Sequence, residues 1–501
     1  MKKLFLSILA ILLCLSAFTL IACNGDDNTT TDDITTTDDI TTTDNITTTV
    51  PPTDGKFSSK TDIKTDWSGK TLNIACSSWN AEPKAPWSIL ELCVDYGKES
   101  GFGTKIDAAV LERQEFIKET YGVDLNWINA TRYAMHDALE EAIASGNVYY
   151  DLALPRQMRA QSIVANGSVY DLKDRQYIDF DNSYYSQASV EAYTAKGHTF
   201  FVDGDFSTIS KEAAYVLFFN KELLGGAEAT ANLYQKVRDG KWTWSELVTL
   251  ASAAYKDNGD GVHGDNDVWG LSMAMISEMY YFFGSKQAGV NKETGEWEIV
   301  LKNGREDDIV SAIITAKESV WCRSVWGGIY PDTPFKYLKE DKILFYCCDL
   351  TEVKSALDYD NVGIVPFPIL DSEQDRYYVY CDNNLVTLMC IPKNTQDRAM
   401  SEYFLDVLAW TGNEYVMKSY LDTKSEYVSD EDMEMLTDYI FPNIIYDPGY
   451  AVGWGSLIGD ALYDSYKGNV NNFDNAYAEH EPEALETIKK WNNAWGAYTE
   501  S

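Results

Sequence analysis

Between Thr71 and Gly167 the apolar residues switch repeatedly between short continuous runs and helical spacing. Thr71-Leu72-Asn73-Ile74-Ala75-Cys76 reads as a short buried strand. Ile106, Val110, Phe116 and Ile117 then recur at helical intervals up to Tyr121, and Gly122 closes that helix. Val123 to Trp127 gives a second strand, Met135 to Ala144 a second helix, Tyr149 to Leu154 a third strand and Met158 to Asn166 a third helix, stopped by Gly167. Such an order admits few solutions, because adjacent parallel strands need a crossover connection and a helix supplies it. The pattern predicts an α/β fold built on a mostly parallel sheet with helices on its faces. Ligands of such sheets sit beyond the carboxyl ends of the strands. That puts Ser77, Ser78 and Trp79 after the first strand, and Pro155 and Arg156 after the third, on one rim.

The first sixty residues cannot contribute to this core. From Asp32 to Thr49 a six-residue unit of two acids, an isoleucine and three threonines occurs three times, with Asn45 replacing one acid. Acidic pairs repel and almost no large apolar side chain is present, so residues 24–60 are expected to form a disordered, extended stalk. Ahead of it, Lys2 and Lys3 precede an apolar run from Leu4 to Ala22, which ends in Leu20-Ile21-Ala22-Cys23. That ending resembles the lipobox of a bacterial lipoprotein signal peptide, and the flank that follows is polar and acidic. The resemblance implies cleavage before Cys23, lipidation of that cysteine, and a protein tethered to the outer face of the cytoplasmic membrane.

About 440 residues remain from Asp62 onward, enough for two lobes that each bury a core. The formal net charge is −37, and only eight acidic residues lie in the stalk from 24 to 55. The folded part is therefore acidic too, which argues against nucleic acid or anionic lipid as a partner. The 66 aromatic residues exceed what a core of this size requires, so some are expected to line a ligand cleft, where their faces suit the C–H faces of sugar rings.

Seven cysteines remain after Cys14 and Cys23 are set aside, an odd number with no CxxC spacing. Most sit in apolar strand-like runs, where a free thiol behaves as a small hydrophobe. The four histidines are scattered without an HExxH pattern, which gives no zinc signature.

A longer succession of segments carries a family resemblance. Val169-Tyr170-Asp171-Leu172, Tyr177-Ile178-Asp179, Val202-Asp203-Gly204-Asp205, and Phe218-Phe219-Asn220-Lys221-Glu222-Leu223-Leu224 follow one another as in the family 1 extracellular solute-binding proteins of bacterial ABC importers. Asp239 to Trp244, Val362 to Pro366, Ile391-Pro392-Lys393, and Tyr420-Leu421 to Met435-Leu436 are similar to later segments of that family, in the same order. The resemblance implies a two-lobed, type II periplasmic-binding-protein fold. Its lobes would comprise residues 66–216 with 383–425 and residues 217–382 with 426–501. The chain would cross near Tyr215 to Phe219, return through Leu385 to Met389, and cross again after Trp410. Thr243 and Glu246 form a capping-box pattern that opens a helix from Trp244 to Tyr255, which makes Trp242 and Trp244 structural.

The implied fold brings Trp79 and Arg156 to the first lobe's rim, and Ser272, Asp349 and Trp454 to the second lobe's side of the cleft, with Trp326 and Tyr380 as alternatives. Cys348-Asp349 stands where family members often carry an aromatic. The implied partners are a sugar or oligosaccharide and the permease subunits of an importer, with the protein acting as a monomer and without catalysis. A surface polysaccharide-processing lipoprotein stays open at this point, because a pair of carboxylates can always be found among 78 acidic residues. No GxSxG elbow, HExxH or Walker loop supports it. A structural wall protein fits the stalk but not the α/β pattern. One segment, Asp257-Asn258-Gly259-Asp260-Gly261 with Asp265 and Asp267, resembles a calcium loop. It lacks one residue of the EF-hand spacing and has Asp267 in place of the bidentate glutamate. Structural calcium and an unliganded acidic turn both stay open.

Overall fold

The alternation after Thr71 is realised as three parallel strands and their crossovers: β1 (Thr71–Ser78), β2 (Asp124–Thr131) and β3 (Leu152–Leu154) lie in the order β2-β1-β3. Ile74 sits opposite both Trp127 and Leu152 in this register. The computed structural model describes residues 59–60, 62–78, 104–131, 134–264, 266–273, 276–324, 333–350, 361–451 and 457–499. The crossover helices run Thr104–Tyr121 and Ala134–Ser145. The third expected helix is divided: Gln157–Arg159 forms a 3-10 turn before Ala160–Ala165 becomes α-helical. Two neighbouring backbone groups are already spoken for there, since Arg156 bridges Thr387 and the Gln157 amide donates to Val386.

Leu72, Ile74, Leu152 and Leu154 pack with Ile117 and Tyr121 of the first crossover helix and with Tyr403, Phe404 and Leu408 of the helix Arg398–Thr411. Burying each such side chain is worth about 1.5–3 kcal/mol. That later helix reaches the first sheet because the chain returns to it. The segment 387–392 runs antiparallel beside β3, pairing Cys390 with Ala153, and Met389 with Val202 on its other side. Asp397 caps the helix by accepting from the Met400 amide, and it also accepts from Trp67 Nε1 (3.0 Å) and Lys70 Nζ (2.8 Å). The entry of the fold is thereby tied to a helix 330 residues away.

The second sheet has five strands, β4 (Tyr215–Asn220), β5 (Trp269–Met273), β6 (Cys322–Ser324), β7 (Ile343–Asp349) and β8 (Val362–Val365), in the order β6-β5-β7-β4-β8. β6, β5 and β7 are parallel, while β4 runs antiparallel to β7 and β8. β4 and β7 are buried along their whole length, which is why they read as unbroken apolar runs. The helix Trp244–Ala254 packs on β5 so closely that a Cβ at Gly270 would lie 2.0 Å from the Ala251 carbonyl oxygen. Trp242 is fully buried and donates to Pro366 O (3.1 Å), and Trp244 stacks on Phe367, so both tryptophans are structural. Thr243 accepts from the Glu246 amide, but the glutamate turns to Lys236, so only half of the capping box forms.

Between the sheets the chain runs as paired segments. Ala214 bridges Cys381, Asp382 N donates to Ala213 O (2.9 Å), and Leu350 N donates to Ala214 O (3.1 Å). A further passage follows the helix Lys418–Ser425, where Lys424 makes a buried ion pair with Glu212 at 2.6 Å. Eight residues on, Asp432 accepts from the Ile364 amide of β8 (2.7 Å). The last helix, Phe473–Gly496, touches both sides: Trp495 sets its ring against Trp297 and Phe200 and donates to Gln161 (3.0 Å).

Cys76, Cys322, Cys347, Cys348, Cys381 and Cys390 are buried, and none of them is in a disulfide. Burial pushes the Cys322 thiol up to about 12, so it behaves as the small apolar side chain its context suggested. Among the described residues no helix is long and apolar enough to cross a membrane.

Candidate functional site

The first sheet meets the second where β3 ends. Pro155, Arg156 and Gln157 follow the strand, and the turn Gln157–Arg159 packs against the turn Pro448–Ala451. The paired segment 380–386 runs past the same point, since Gln157 N donates to Val386 O.

Arg156 is 2% exposed. Its Nη1 donates to the carbonyl oxygens of Asn384 (2.6 Å) and Leu385. This geometry makes Arg156 a brace for the segment between the lobes, a task the sequence does not announce. Beside it, Asp382-Asn383-Asn384 folds into a tight turn: Asn384 N donates to Asp382 Oδ1 (2.8 Å), and Leu385 N donates to the Asp382 carbonyl. Tyr380, at the end of β9 (Val379–Tyr380), stacks on Tyr281 with ring centroids 4.9 Å apart and planes 10° from parallel. β9 pairs in parallel with β10 (Ile444–Ile445), just before the 448–451 turn.

These elements bring together buried polar groups that the protein satisfies only loosely, the Tyr193 hydroxyl standing beside Gln157 and the Tyr450 hydroxyl beside Asn384. Both ends of the Gln157 amide, the Tyr380 hydroxyl, Asn383 Nδ2 and Asn384 Oδ1 are out of contact with solvent and lack a hydrogen bond of ordinary geometry. Such groups are few in native proteins, and each costs about 1–3 kcal/mol unless something pairs with it. Acid groups stand alongside. Burial raises the Tyr450 pKa, and the charges of Glu278 and Asp382 add to the shift. Tyr466, buried with an unbonded hydroxyl, is raised by burial first and then by Glu278. The set can therefore donate to and accept from an uncharged polyhydroxylated guest.

The sequence-derived candidates distribute unevenly. Arg156 and Tyr380 belong to this cluster. Ser272 and Asp349 are buried within the second sheet, Ser272 on β5 opposite Tyr346 with an unbonded hydroxyl, and Asp349 at the carboxyl end of β7 opposite Tyr215. Trp79, Trp326, Trp454 and Cys23 lie outside the described residues. Gln157, Glu278, Asn383, Asn384 and Tyr450 were not singled out from sequence. Asp382-Asn383-Asn384 did carry a signal, being three polar residues between the apolar runs Tyr377–Cys381 and Leu385–Cys390.

In the acidic loop, carboxylates bind the loop's own backbone. Asp257 Oδ1 accepts from Gly259 N (2.6 Å), Asp260 Oδ1 from Val262 N (2.7 Å), and Asp267 from Asn258 N and Gly264 N (3.0 Å each). Those two backbone donors hold the Asp267 carboxyl below its ordinary value. Among the described residues no three histidine, cysteine or acidic side chains are arranged to hold a metal ion, and Asp265 is outside those residues.

The family of bacterial extracellular solute-binding proteins matches residues 113–424, and the chain belongs to that family. In its overall fold the chain is similar to the sugar-binding protein MalE from Xanthomonas citri, with 12% identity and a TM-score of 0.54, covering 86% of this chain and 100% of that one. It is also similar to the galacto-N-biose/lacto-N-biose I-binding protein of an ABC transporter from Bifidobacterium longum (12% identity, TM-score 0.53, 84% of this chain and 97% of that one). A cyclo/maltodextrin-binding protein solved with maltotetraose gives 14% identity, a TM-score of 0.53, and coverage of 84% and 98%. At such identities the likeness establishes the fold, that of the type II periplasmic-binding proteins. No curated protein sequence matches the chain.

Proposed function

We propose that this solute-binding protein captures a sugar or oligosaccharide between its lobes and delivers it to the permease of an ABC importer. The observation that carries the reading is the buried, loosely paired polar set of Gln157, Tyr380, Asn383 and Asn384 at the junction of the two sheets. Neutral amides and hydroxyls with spare donors and acceptors are what sugar hydroxyls pair with, and aromatic faces such as Tyr380 suit sugar rings. The solved proteins of like fold that bind maltotetraose and lacto-N-biose support the choice of carbohydrate. Binding that engages both lobes favours their closure, and a permease reads the closed surface. The N-terminal segment fits a lipid anchor at Cys23 and a stalk that would hold the receptor at the outer face of the membrane; the stalk is shorter than the expected 24–60, because Ser59 is already buried in the fold and donates to Asp406.

A thermal-shift screen of the purified protein against mono- and oligosaccharides, amino acids and peptides tests this. A ligand at a hundredfold its Kd stabilises by about 2.7 kcal/mol. Stabilisation by an oligosaccharide recovered intact supports the receptor; glycan cleavage without stabilisation overturns it in favour of a hydrolase. Replacing Cys23 by alanine should release the protein from membranes, and a Cys23→Ala protein that stays membrane-bound refutes the lipid anchor.

A further inference from the structure

Two β-hairpins, one from each sheet's side, meet at their tips, and the end of the chain lies against both. The hairpin of Thr194–Ala195 with His198–Thr199 belongs to the first side, since Thr199 O accepts from Leu172 N and Val202, three residues on, bridges Met389. The hairpin of Ala288–Val290 with Trp297–Ile299 runs into the helix Glu306–Glu318, which packs on β6 of the second sheet. Across the tips Lys196 N donates to Gly295 O (2.6 Å), and Lys196 Nζ pairs with Glu296 Oε1 at 2.7 Å. Asn492 moors the last helix to the second hairpin, accepting from Trp297 N (2.8 Å) and donating to Trp297 O (3.0 Å), and Trp491 sets its ring edge-on to Trp297. Trp495, fully buried, reaches across to Phe200 and Gln161 of the first side. Tyr498 follows it: its hydroxyl accepts from Asp171 N (3.1 Å), and its ring meets Phe200.

We propose that these contacts form a clasp that holds the lobes closed and lets go when they part, so that its strength sets how much of the empty protein is ready to bind; the inference rests on the reading of a two-lobed receptor. The arrangement described is then the closed one, because the loosely paired polar groups of Gln157, Tyr380, Asn383 and Asn384 at the sheet junction are out of contact with solvent. Two features suit a contact that opens. Its polar part sits at hairpin tips, where Lys196 and Glu296 keep 28% and 48% of their side chains exposed, so separating them strands no buried charge. Its apolar part is gathered at the end of the chain, in Trp495 and Tyr498, rather than spread over a sheet. The clasp also reaches the site: Trp495 Nε1 donates to Gln161 (3.0 Å), and the helix that carries Gln161 follows directly on the turn Gln157–Arg159. A ligand then selects clasped molecules, and its apparent Kd rises as the clasped fraction falls.

Calorimetry with an oligosaccharide that stabilises the protein, and small-angle scattering of the ligand-free full chain, test the clasp. Trp495→Phe, which removes the bond to Gln161 and part of the ring contact, should raise the Kd about fivefold. It should also enlarge the radius of gyration, to which the N-terminal segment contributes equally in every variant. Trp491→Phe trims a ring set against Trp297 within the second side and is the control, expected to leave both quantities unchanged. Because Trp495→Phe removes buried surface, the exposed pair serves as a second test: Lys196→Glu should raise the Kd about threefold, and adding Glu296→Lys to the same chain should restore it. Unchanged Kd and radius in both Trp495→Phe and Lys196→Glu, an equal effect of Trp491→Phe, or no restoration in the double variant would each overturn the clasp. A larger radius in Trp495→Phe when no oligosaccharide binds the parent would support the clasp and sink the sugar reading instead.

Discussion

Two glutamines are equally buried and behave in opposite ways. Gln287, with no exposed surface, uses its whole amide: Oε1 accepts from Ile458 N and Gly459 N (3.0 Å each), and Nε2 donates to the hydroxyls of Tyr280 (3.0 Å) and Tyr281 (3.3 Å). Beside it Asp447 accepts four hydrogen bonds, from Tyr281 and from the amides of Gln287, Ala288 and Gly449. Gln157 is 1% exposed, and its side-chain amide has the Tyr193 hydroxyl beside it but makes no bond of ordinary geometry. A fully paired buried network holds a fold together, whereas buried groups with loose pairing keep capacity for water or a guest. The first arrangement therefore marks structure and the second a candidate site.

The sharpest way to break this contrast is to truncate both residues. Gln287→Ala strands two backbone amides and removes a donor from two tyrosine hydroxyls, of which Tyr281 keeps its bond to Asp447, and should cost about 3 kcal/mol of unfolding free energy in a urea titration. A loss below about 0.5 kcal/mol would show that the network carries no stability. Gln157→Ala removes an amide whose protein partner is the Tyr193 hydroxyl, at less than ordinary hydrogen-bond geometry, so unfolding should change by less than about 1 kcal/mol. Its Kd for a stabilising oligosaccharide should instead rise about tenfold by calorimetry, the worth of one hydrogen bond. Asn383→Ala should follow Gln157→Ala; if either variant loses stability and keeps its affinity, the polar set is structural.

A second paired cluster gives a smaller, pH-dependent effect. Asp406 accepts from Ser59, Tyr184 and Tyr185, and its carboxyl is raised above the ordinary value by burial, with those hydroxyls opposing. The native chain thus keeps a proton that the unfolded chain releases near pH 4. The contribution of Asp406 to stability accordingly falls as pH rises from about 4 through the raised native value. Asp406→Asn should flatten that part of the stability profile, measured by urea unfolding at a series of pH values from 4 to 7; an unchanged slope would mean that the three hydroxyls fully compensate the native carboxylate. The smallest effect is expected at the acidic loop. Its carboxylates already bind the loop backbone, so millimolar calcium or a chelator should leave the thermal midpoint within about 1 °C, and a rise of several degrees with calcium would establish a metal site.

Much of the fold was legible because local pattern and tertiary environment agreed. The Thr71 run became β1, the helical spacing after Ile106 became a crossover helix, and the apolar Tyr215 and Ile343 runs became strands buried on both faces. The Trp242 and Trp244 reading held for the same reason, each ring being sealed by residues of the same lobe. The site was less legible. Arg156 was placed correctly at the end of β3, but its bond to Asn384 depends on a residue 228 positions away, which no local spacing encodes.

The sequence by itself determined the α/β alternation, the acidic character and a cysteine pattern unlike a disulfide scaffold, with the two-lobe class implied by the family resemblance. The first three follow from period, composition and cysteine placement, all of which are local or additive. Only the tertiary structure decided which buried polar groups are paired. Gln287 is satisfied by backbone donors 171 and 172 residues along the chain, while Gln157, as polar and as deeply buried, has only the Tyr193 hydroxyl beside it and no bond of ordinary geometry. Hydrogen bonding needs a partner within about 3 Å at a favourable angle, and the long return of the chain across both sheets brings such partners to one glutamine and withholds them from the other.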